Sequence, residues 1–344
     1  VRHAIPVLFE ILYVSAVTLL LRVESDSPDG LEETSEPARS WWVEYGEDDG
    51  RIGCPSAVLQ PLVWLLVHHN DDGTWGKGPV EFEGQLIGQP GLTALPLLPL
   101  MGAGYSPLSK DIFVYEGGDW CFGRELSRGI DWLLRDQRED GTFRSAGAGP
   151  FDRILPAFAL AEAYGRTARE TYRKPAQAAV DAMLRLQKQN GSWEGAGPTA
   201  WAIITLYSAK EAELSFDPVA LESALRCAKP PGHSGAGLSR ILLKERADEA
   251  AQSLQEESIG RDTKNLAWWY VATLGAYAHG GGWVGNGGPP WSAWNPRIKE
   301  KLVPLLRRDG SVDGSSYGDT VVRTSLLQLT LEVYYRYKYA FTPR

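Results

Sequence analysis

The chain has 344 residues, of which 43% are hydrophobic and 23% charged, with 13 Trp, 14 Tyr and 37 Gly, a composition that buries a large core and excludes a disordered protein. The formal net charge is −8, and no Lys/Arg stripe is interleaved with aromatic residues, which excludes a nucleic-acid partner. Cys54, Cys121 and Cys227 are odd in number and far apart, so they read as small buried side chains and not as a disulfide framework.

The first element is VRHAIPVLFEILYVSAVTLLLRV, residues 1–23, which sets Arg2 and His3 before a mostly apolar run. That layout suits a signal anchor that tethers the chain to a membrane. Glu10 inside the run argues against it, and an amphipathic helix docked on the rest of the chain has equal weight. The compartment therefore stays open between membrane-anchored, exported and cytoplasmic. Residues 24–50, with ESDSPDGLEETSEPARS, form an acidic Ser/Pro-rich tether, and 51–344 is expected to be one domain.

Within that domain a short unit recurs: HNDDGTW with His69, Gly73 and Trp75; QREDGTF with Gln137, Gly141 and Phe143; QKQNGSWEG with Gln187, Gly191 and Trp193; and LRRDGSV with Leu306, Gly310 and Val312. Each copy follows one apolar segment of helical period and precedes another, so the repeated element is helix, Gly turn, helix. The glycine fits an αL cap at the helix end, and the Asp or Asn before it tolerates αL and bonds nearby backbone. Five such hairpins are expected: about 51–105, 122–167, 172–212, a degraded fourth, and about 297–339. The fourth is interrupted by one inserted amphipathic helix near 238–259, and GGGWVGNGGPPWSAWNP, residues 280–296, is read as a long loop. Second helices begin with Gly or Pro and then Thr, as in GLTALP, GPTAWA and GDTVVRTS, whereas first helices carry more charge. The expected fold is all-α, an α/α toroid of helical hairpins with an inner and an outer ring and the Gly turns on one rim.

A Gln, a Gly four residues later and an aromatic two beyond it, ahead of a Thr-Ala helix start, resembles the QW repeat of squalene and oxidosqualene cyclases. Related repeats occur in protein prenyltransferase β subunits. GIDWLLRDQREDGTF, AFALAEAYG and LTLEVYYRYKY resemble bacterial prenyltransferase and squalene oxidase repeat proteins. The resemblance covers about 51–339 and implies a toroid whose Gln and Trp tie helix ends together around a cavity for isoprenoid chains. It does not fix the chemistry, since one toroid hosts cyclases, transferases and non-enzymes.

The resemblance implies catalytic patterns of which this sequence carries only fragments. Proton-initiated cyclases place Asp-x-Asp-Asp before Thr-Ala. Here Thr320 follows Ser316, Tyr317, Gly318 and Asp319, Thr199 follows Ala196, Gly197 and Pro198, and Thr93 follows Pro90, Gly91 and Leu92. Only Asp319 matches, and as an N-cap it would ionise more easily, the opposite of what a proton donor needs. Magnesium-dependent ionisation of a diphosphate needs a third acid that Asp71 and Asp72 lack. Asp119 and Cys121 carry the dipeptide spacing of a prenyltransferase zinc site, with His233 or His279 as a third ligand, but they introduce an outer-type helix, so no metal and no cofactor are expected. The catalytic residues are left unassigned.

Trp268, Trp269, Tyr270, Trp283 and Asp319 are the candidate ligand-binding residues, with Trp291 and Trp294 as further ring platforms. The expected function is binding of a hydrophobic, isoprenoid-like ligand or a protein partner without the usual acid motif. A divergent terpenoid cyclase or prenyltransferase is the first alternative. A carbohydrate-acting α/α-barrel enzyme with carboxylates across an aromatic groove is the second.

Overall fold

A computed structural model of the protein describes residues 54–147, 149–230, 235–280 and 289–336, all within one compact unit. The expected anchor and tether of residues 1–50, together with Trp283 and His233, lie outside the described residues. No described helix is long and apolar enough to cross a membrane.

Helices of two kinds alternate along the chain. α1 (Cys54–Val67), α3 (Phe122–Asp136), α5 (Glu170–Leu184), α7 (Pro218–Ala228), α9 (Ala247–Gly260) and α11 (Pro289–Leu302) form the outer layer. α2 (Gln89–Gly102), α4 (Phe151–Thr167), α6 (Ala196–Glu211), α8 (Ala236–Leu242), α10 (Leu266–Gly280) and α12 (Tyr317–Arg336) form the inner layer. The sequence dictates the division. α3 buries only Phe122, Gly123, Glu125, Leu126, Gly129, Ile130 and Leu133, one stripe at helical spacing, so its other face meets water. α2 is buried from Pro90 through Gly102 without a break, which suits a helix enclosed on every side.

α2 packs on α4 and α4 on α6, α7 bridges α6 to α8, and α8, α10 and α12 follow in turn. α12 then packs back on α2, so the last hairpin meets the first and the all-α toroid closes. Among the described residues the ring holds six hairpins where five were expected. The segment near 238–259 is not one inserted helix but two, since the chain turns at Lys244 and Arg246, both with positive φ. Its first half supplies the short inner α8 and its second half the outer α9, which partners α10. The expected loop at 280–296 likewise becomes helical from Pro289.

The four Gly turns share one geometry, and it differs from a helix cap. In each, the glycine N–H donates to the carbonyl three residues back, and that residue's N–H donates across the turn: Gly73 to Asn70, Gly141 to Arg138, Gly191 to Lys188 and Gly310 to Arg307. The helix has already ended at this point, so glycine supplies the positive φ of a separate tight turn, with values of 81° to 90° in the four copies. Asp72, Asp140, Asn190 and Asp309 each accept from the N–H and hydroxyl of the Thr or Ser two residues on. These bonds stiffen the turn from within.

Each turn is also a joint to the next outer helix. A Cβ on Gly73 would meet the Arg128 carbonyl on α3, on Gly141 the Ala178 carbonyl on α5, on Gly191 the Ser223 carbonyl on α7, and on Gly310 the Gln60 backbone on α1. The amide of Gln137 donates to the Pro175 carbonyl at 3.0 Å and that of Gln187 to the Ala220 carbonyl at 2.8 Å, both across the same joint. His69 holds the equivalent place in the first turn and pairs with Glu125 of α3 at 2.8 Å. The aromatic two residues on from the glycine secures the hairpin itself. Trp75 and Trp193 are fully buried, with indoles donating to Leu65 and Met183 on their own outer helices.

Two β-hairpins interrupt the helices, and neither was expected. β1 (Val80–Phe82) pairs with β2 (Gln85–Ile87) between α1 and α2, and β3 (Ile112–Tyr115) pairs with β4 (Gly118–Cys121) between α2 and α3. Both turn on a Glu-Gly pair with positive φ at each residue, 53° and 73° at Glu83 and Gly84, 48° and 76° at Glu116 and Gly117. That is the type I′ turn whose twist matches two paired strands.

Candidate functional site

The β1–β2 hairpin spans the mouth of the ring at the end where the inner helices begin. Val80 lies against Gly318 at the start of α12, and the hairpin tip, Glu83, lies against Gly197 at the start of α6. These two helices stand three places apart in the six-hairpin ring, so the hairpin crosses the opening. Its base is held by Asp152 of α4, which is fully buried and accepts from the backbone N–H groups of Gly88 (2.8 and 2.9 Å), Gly91 (3.0 Å) and Gly147 (2.6 Å). Burial pushes the Asp152 carboxyl above its ordinary value, and the N–H groups of Gly88, Gly147 and Gly91 pull the other way.

Beneath the hairpin lies an aromatic cluster. The Phe82 ring meets Phe151 of α4 edge-on at 4.7 Å and Trp201 of α6 at 5.4 Å, and Trp201 lies 5.2 Å from Tyr270 of α10. All four are buried, Phe151, Trp201 and Tyr270 completely. Buried aromatics of this size contribute about 3 kcal/mol each, and edge-on pairing adds to that. One polar atom in the cluster is left over. The Trp201 indole nitrogen is buried and has no hydrogen-bond partner among the described residues. An orphaned buried donor costs about 1–3 kcal/mol, which a water or a bound molecule accepting from it would relieve.

A carboxyl stands at the edge of this cluster. Glu83 is half-buried, no hydrogen-bond donor or cation pairs with it among the described residues, and burial raises its pKa above the ordinary carboxylate value. Nearby, the Gln85 amide donates to the Glu194 carbonyl at 3.4 Å and ties the tip to the chain entering α6. Toward the far ends of α4 and α6 the ring is polar: Ser208 donates to Glu162 at 2.7 Å, Arg166 pairs with the same carboxylate at 3.3 Å, and burial pushes the neighbouring Tyr207 up to about 12.

The residues singled out in the sequence are dispersed. Tyr270 alone faces the cluster at the ring's mouth. Trp268 and Trp269 turn outward and pack with Trp294 of α11 in the seam between the two layers, with Trp269 and Trp294 5.9 Å apart. Their indoles are satisfied there, Trp269 by the Asp262 carbonyl at 2.9 Å and Trp294 by the Thr273 hydroxyl at 3.0 Å. Arg261 and Lys301 cover the rings at 4.3 and 5.6 Å. Asp319 is half-buried in the first turn of α12 and accepts from the Ser315 N–H at 2.7 Å and its hydroxyl at 3.0 Å, which fixes the preceding loop. Thr199 sits inside α6 rather than capping it, accepting from the Trp193 N–H and donating to the Gly195 carbonyl.

Asp119 and Cys121 lie on β4, away from any inner-helix start, and no group of three His, Cys, Asp or Glu residues among the described residues is close enough to hold a metal ion. Asp152 and Glu83 were missed. Asp152 is the one acid in the opening turn of the second inner helix, where GPFDRILPAF lacks the Thr that marks the other starts. Glu83 was accessible from EFEGQLI, a Glu-Gly pair between alternating residues, which is a hairpin signal.

No family model and no curated protein matches the chain. Among solved structures, the chain is similar to a variant of the type II terpene cyclase MstE from Scytonema, in complex with its substrate geranylgeranyl dihydroxybenzoate. The TM-score is 0.52 at 12% identity, over 81% of this chain and 96% of that one. At that identity the likeness speaks for the fold, a terpenoid-cyclase-like toroid.

Proposed function

We propose that the protein binds an apolar, isoprenoid-like small molecule inside the ring, beneath the β1–β2 hairpin. The observation that carries this reading is the Trp201 indole N–H, buried without an acceptor among the described residues, in the cluster formed with Phe82, Phe151 and Tyr270. A prenyl chain lies well against such rings, and an oxygen at one end of the molecule satisfies the indole. The solved neighbour's geranylgeranyl substrate is of this class. The Asp-x-Asp-Asp pattern is missing from the starts of α2, α6 and α12, and Asp319 is engaged by Ser315, so binding does not call for turnover at that residue.

Native mass spectrometry with lipid extraction tests the reading on protein purified from a membrane fraction. An isoprenoid bearing one oxygen should remain bound, and Trp201→Phe, which keeps the ring and removes the donor, should release it. Protein that carries no lipid and takes up no geranylgeraniol would refute it.

One observation favours a catalytic second reading, a divergent cyclase: the unpartnered carboxyl of Glu83, raised in pKa, at the edge of the aromatic cluster. On that reading Glu83→Gln abolishes conversion of a polyprenyl substrate and leaves its binding intact. If Glu83→Gln and wild type both return the substrate unchanged, only the binding reading stands.

A further inference from the structure

The β3–β4 hairpin, on the connection between α2 and α3, encloses a hollow of its own. Its register sets Phe113 opposite Trp120 and Tyr115 opposite Gly118, so these four residues share one face of the two-stranded sheet. Phe113 is buried and packs on Phe122 at 5.2 Å. Beyond it Tyr115 and Trp120 are only half-buried, and glycine at position 118 leaves the space between them unfilled. A Cβ there would stand 3.3 Å from the Trp120 indole nitrogen. The C-terminal end of α1 forms the other wall. The resulting cavity has a volume of about 250 Å³ and is lined by Val67, His68, Tyr115, Glu116, Gly118 and Trp120.

Three of the lining residues are aromatic, and two of these are held from behind. His68 Nδ1 lies 2.8 Å from the Trp64 carbonyl, which can only accept, so that nitrogen carries a proton and donates it. The same imidazole stacks on Trp64 at 4.4 Å. Trp120 meets His69 edge-on at 5.9 Å, and His69 is itself anchored on Glu125. The cavity is also one-sided in charge. The exposed Glu116 lines it, and no Lys or Arg does so among the described residues. The negative end of the α1 dipole falls here as well, since Val67 is that helix's last residue. Burial raises the Tyr115 hydroxyl above its ordinary value, and the charges of Glu116 and of Asp309, in the last Gly turn, raise it further. The negative potential therefore reaches the ring that faces the hollow.

We propose that this cavity binds an alkylated ammonium group such as that of choline, with the rings of His68, Tyr115 and Trp120 against its methyl groups and Glu116 as its counter-ion. Aromatic rings attract a cation through their quadrupole and at the same time cover its alkyl groups, which a carboxylate alone does not do. Size points the same way. Clefts for drug-sized molecules measure about 300–1,000 Å³, so a cavity of about 250 Å³ admits a headgroup and little more. A bare metal ion is poorly served, because one carboxylate lines the cavity and no group of three metal-ligating side chains is found among the described residues. The site is independent of the isoprenoid reading, since it shares no residue with the cluster around Trp201.

Ligand-observed NMR titration tests this on the full chain, reading the methyl signal of choline and the tert-butyl signal of dimethylbutanol, its neutral carbon isostere. Choline should bind with a Kd of about 1 mM or tighter, and the isostere about tenfold more weakly. Trp120→Leu should lose about tenfold in choline affinity, and Glu116→Gln about threefold. Gly118→Val, which fills the space between the rings, should abolish binding. Glu116 is exposed, so Glu116→Gln keeps the fold, and unchanged circular dichroism separates lost binding from lost folding in the other two. No choline binding up to about 10 mM, an isostere that binds as tightly as choline, or wild-type affinity in both Trp120→Leu and Glu116→Gln overturns the proposal.

Discussion

Gly141→Ala is the most informative single change to the ring. The backbone there has φ of +81°, and an added Cβ would stand 1.9 Å from the Ala178 carbonyl oxygen and 2.3 Å from its carbon, both fixed atoms of α5. A left-handed conformation costs a non-glycine residue about 1–2 kcal/mol. Forcing a methyl into packed backbone costs about 1–3 kcal/mol more, because the turn must lift from α5 and take the Gln137 to Pro175 bond with it. The total expected is about 2–5 kcal/mol. Gly117→Ala is the matched control. Its φ is +76°, but nothing lies within 4 Å of an added Cβ, so it should lose only the conformational part, about 1 kcal/mol. Urea unfolding followed by far-ultraviolet circular dichroism measures both, with a shifted midpoint and an unchanged slope. If the two variants unfold at the same midpoint, the turn glycines serve local conformation alone, and the account of them as joints between neighbouring outer helices is wrong.

The first turn's joint rests on a buried carboxylate and is therefore pH-dependent. Burial would raise the Glu125 carboxyl, but hydrogen bonds from His69 and Arg124 prevail and hold it at about 2. A lowered carboxylate contributes stability above its ordinary value and loses it as pH falls from about 4.5 toward 2, so Glu125→Gln should cost about 2–3 kcal/mol at pH 7 and flatten the acid limb of the stability curve. Equal acid sensitivity of variant and wild type would count against the pairing. Trp193→Ala, which empties a fully buried site and breaks the bond to Met183, should cost about 3–5 kcal/mol in the same unfolding assay, and a loss under 1 kcal/mol would show that the indole does not fasten its hairpin. Access to the ring can be gated chemically. The Glu83 Cβ is 3.4 Å from an ideal Cβ on Gly197, close to disulfide geometry, so Glu83→Cys with Gly197→Cys should form a bridge across the mouth. Oxidised protein should exchange a bound isoprenoid more slowly than reduced protein, and equal rates would mean that the ligand enters elsewhere.

The repeats made the toroid legible because its closing device is local. An Asp or Asn, a Gly, a Thr or Ser and then a buried residue recur at fixed spacing, and the same four atoms bond in each copy. Three features escaped. α8 has only seven residues, so nothing periodic distinguished it from the start of α9. The hairpins at 80–87 and 112–121 have strands of three or four residues, too short to stand out against long apolar helices, although Glu-Gly at each centre was a usable sign. The direction of the indoles on α10 was beyond the reach of a helix whose residues are apolar on every side. Trp268 and Trp269 face the outer layer while Tyr270, the next residue, faces the ring, a division set by Trp294 and Trp201 on other helices.

The central claim is that the ring's aromatic mouth holds a prenyl chain with its oxygen on Trp201. Isothermal titration of geranylgeraniol, and of the hydrocarbon that lacks its hydroxyl, into wild type and Trp201→Phe tests this most directly. The account predicts that wild type prefers the alcohol, and that Trp201→Phe loses about tenfold in affinity for the alcohol and little for the hydrocarbon. Equal affinity of both ligands for both proteins, or binding to neither, would contradict it.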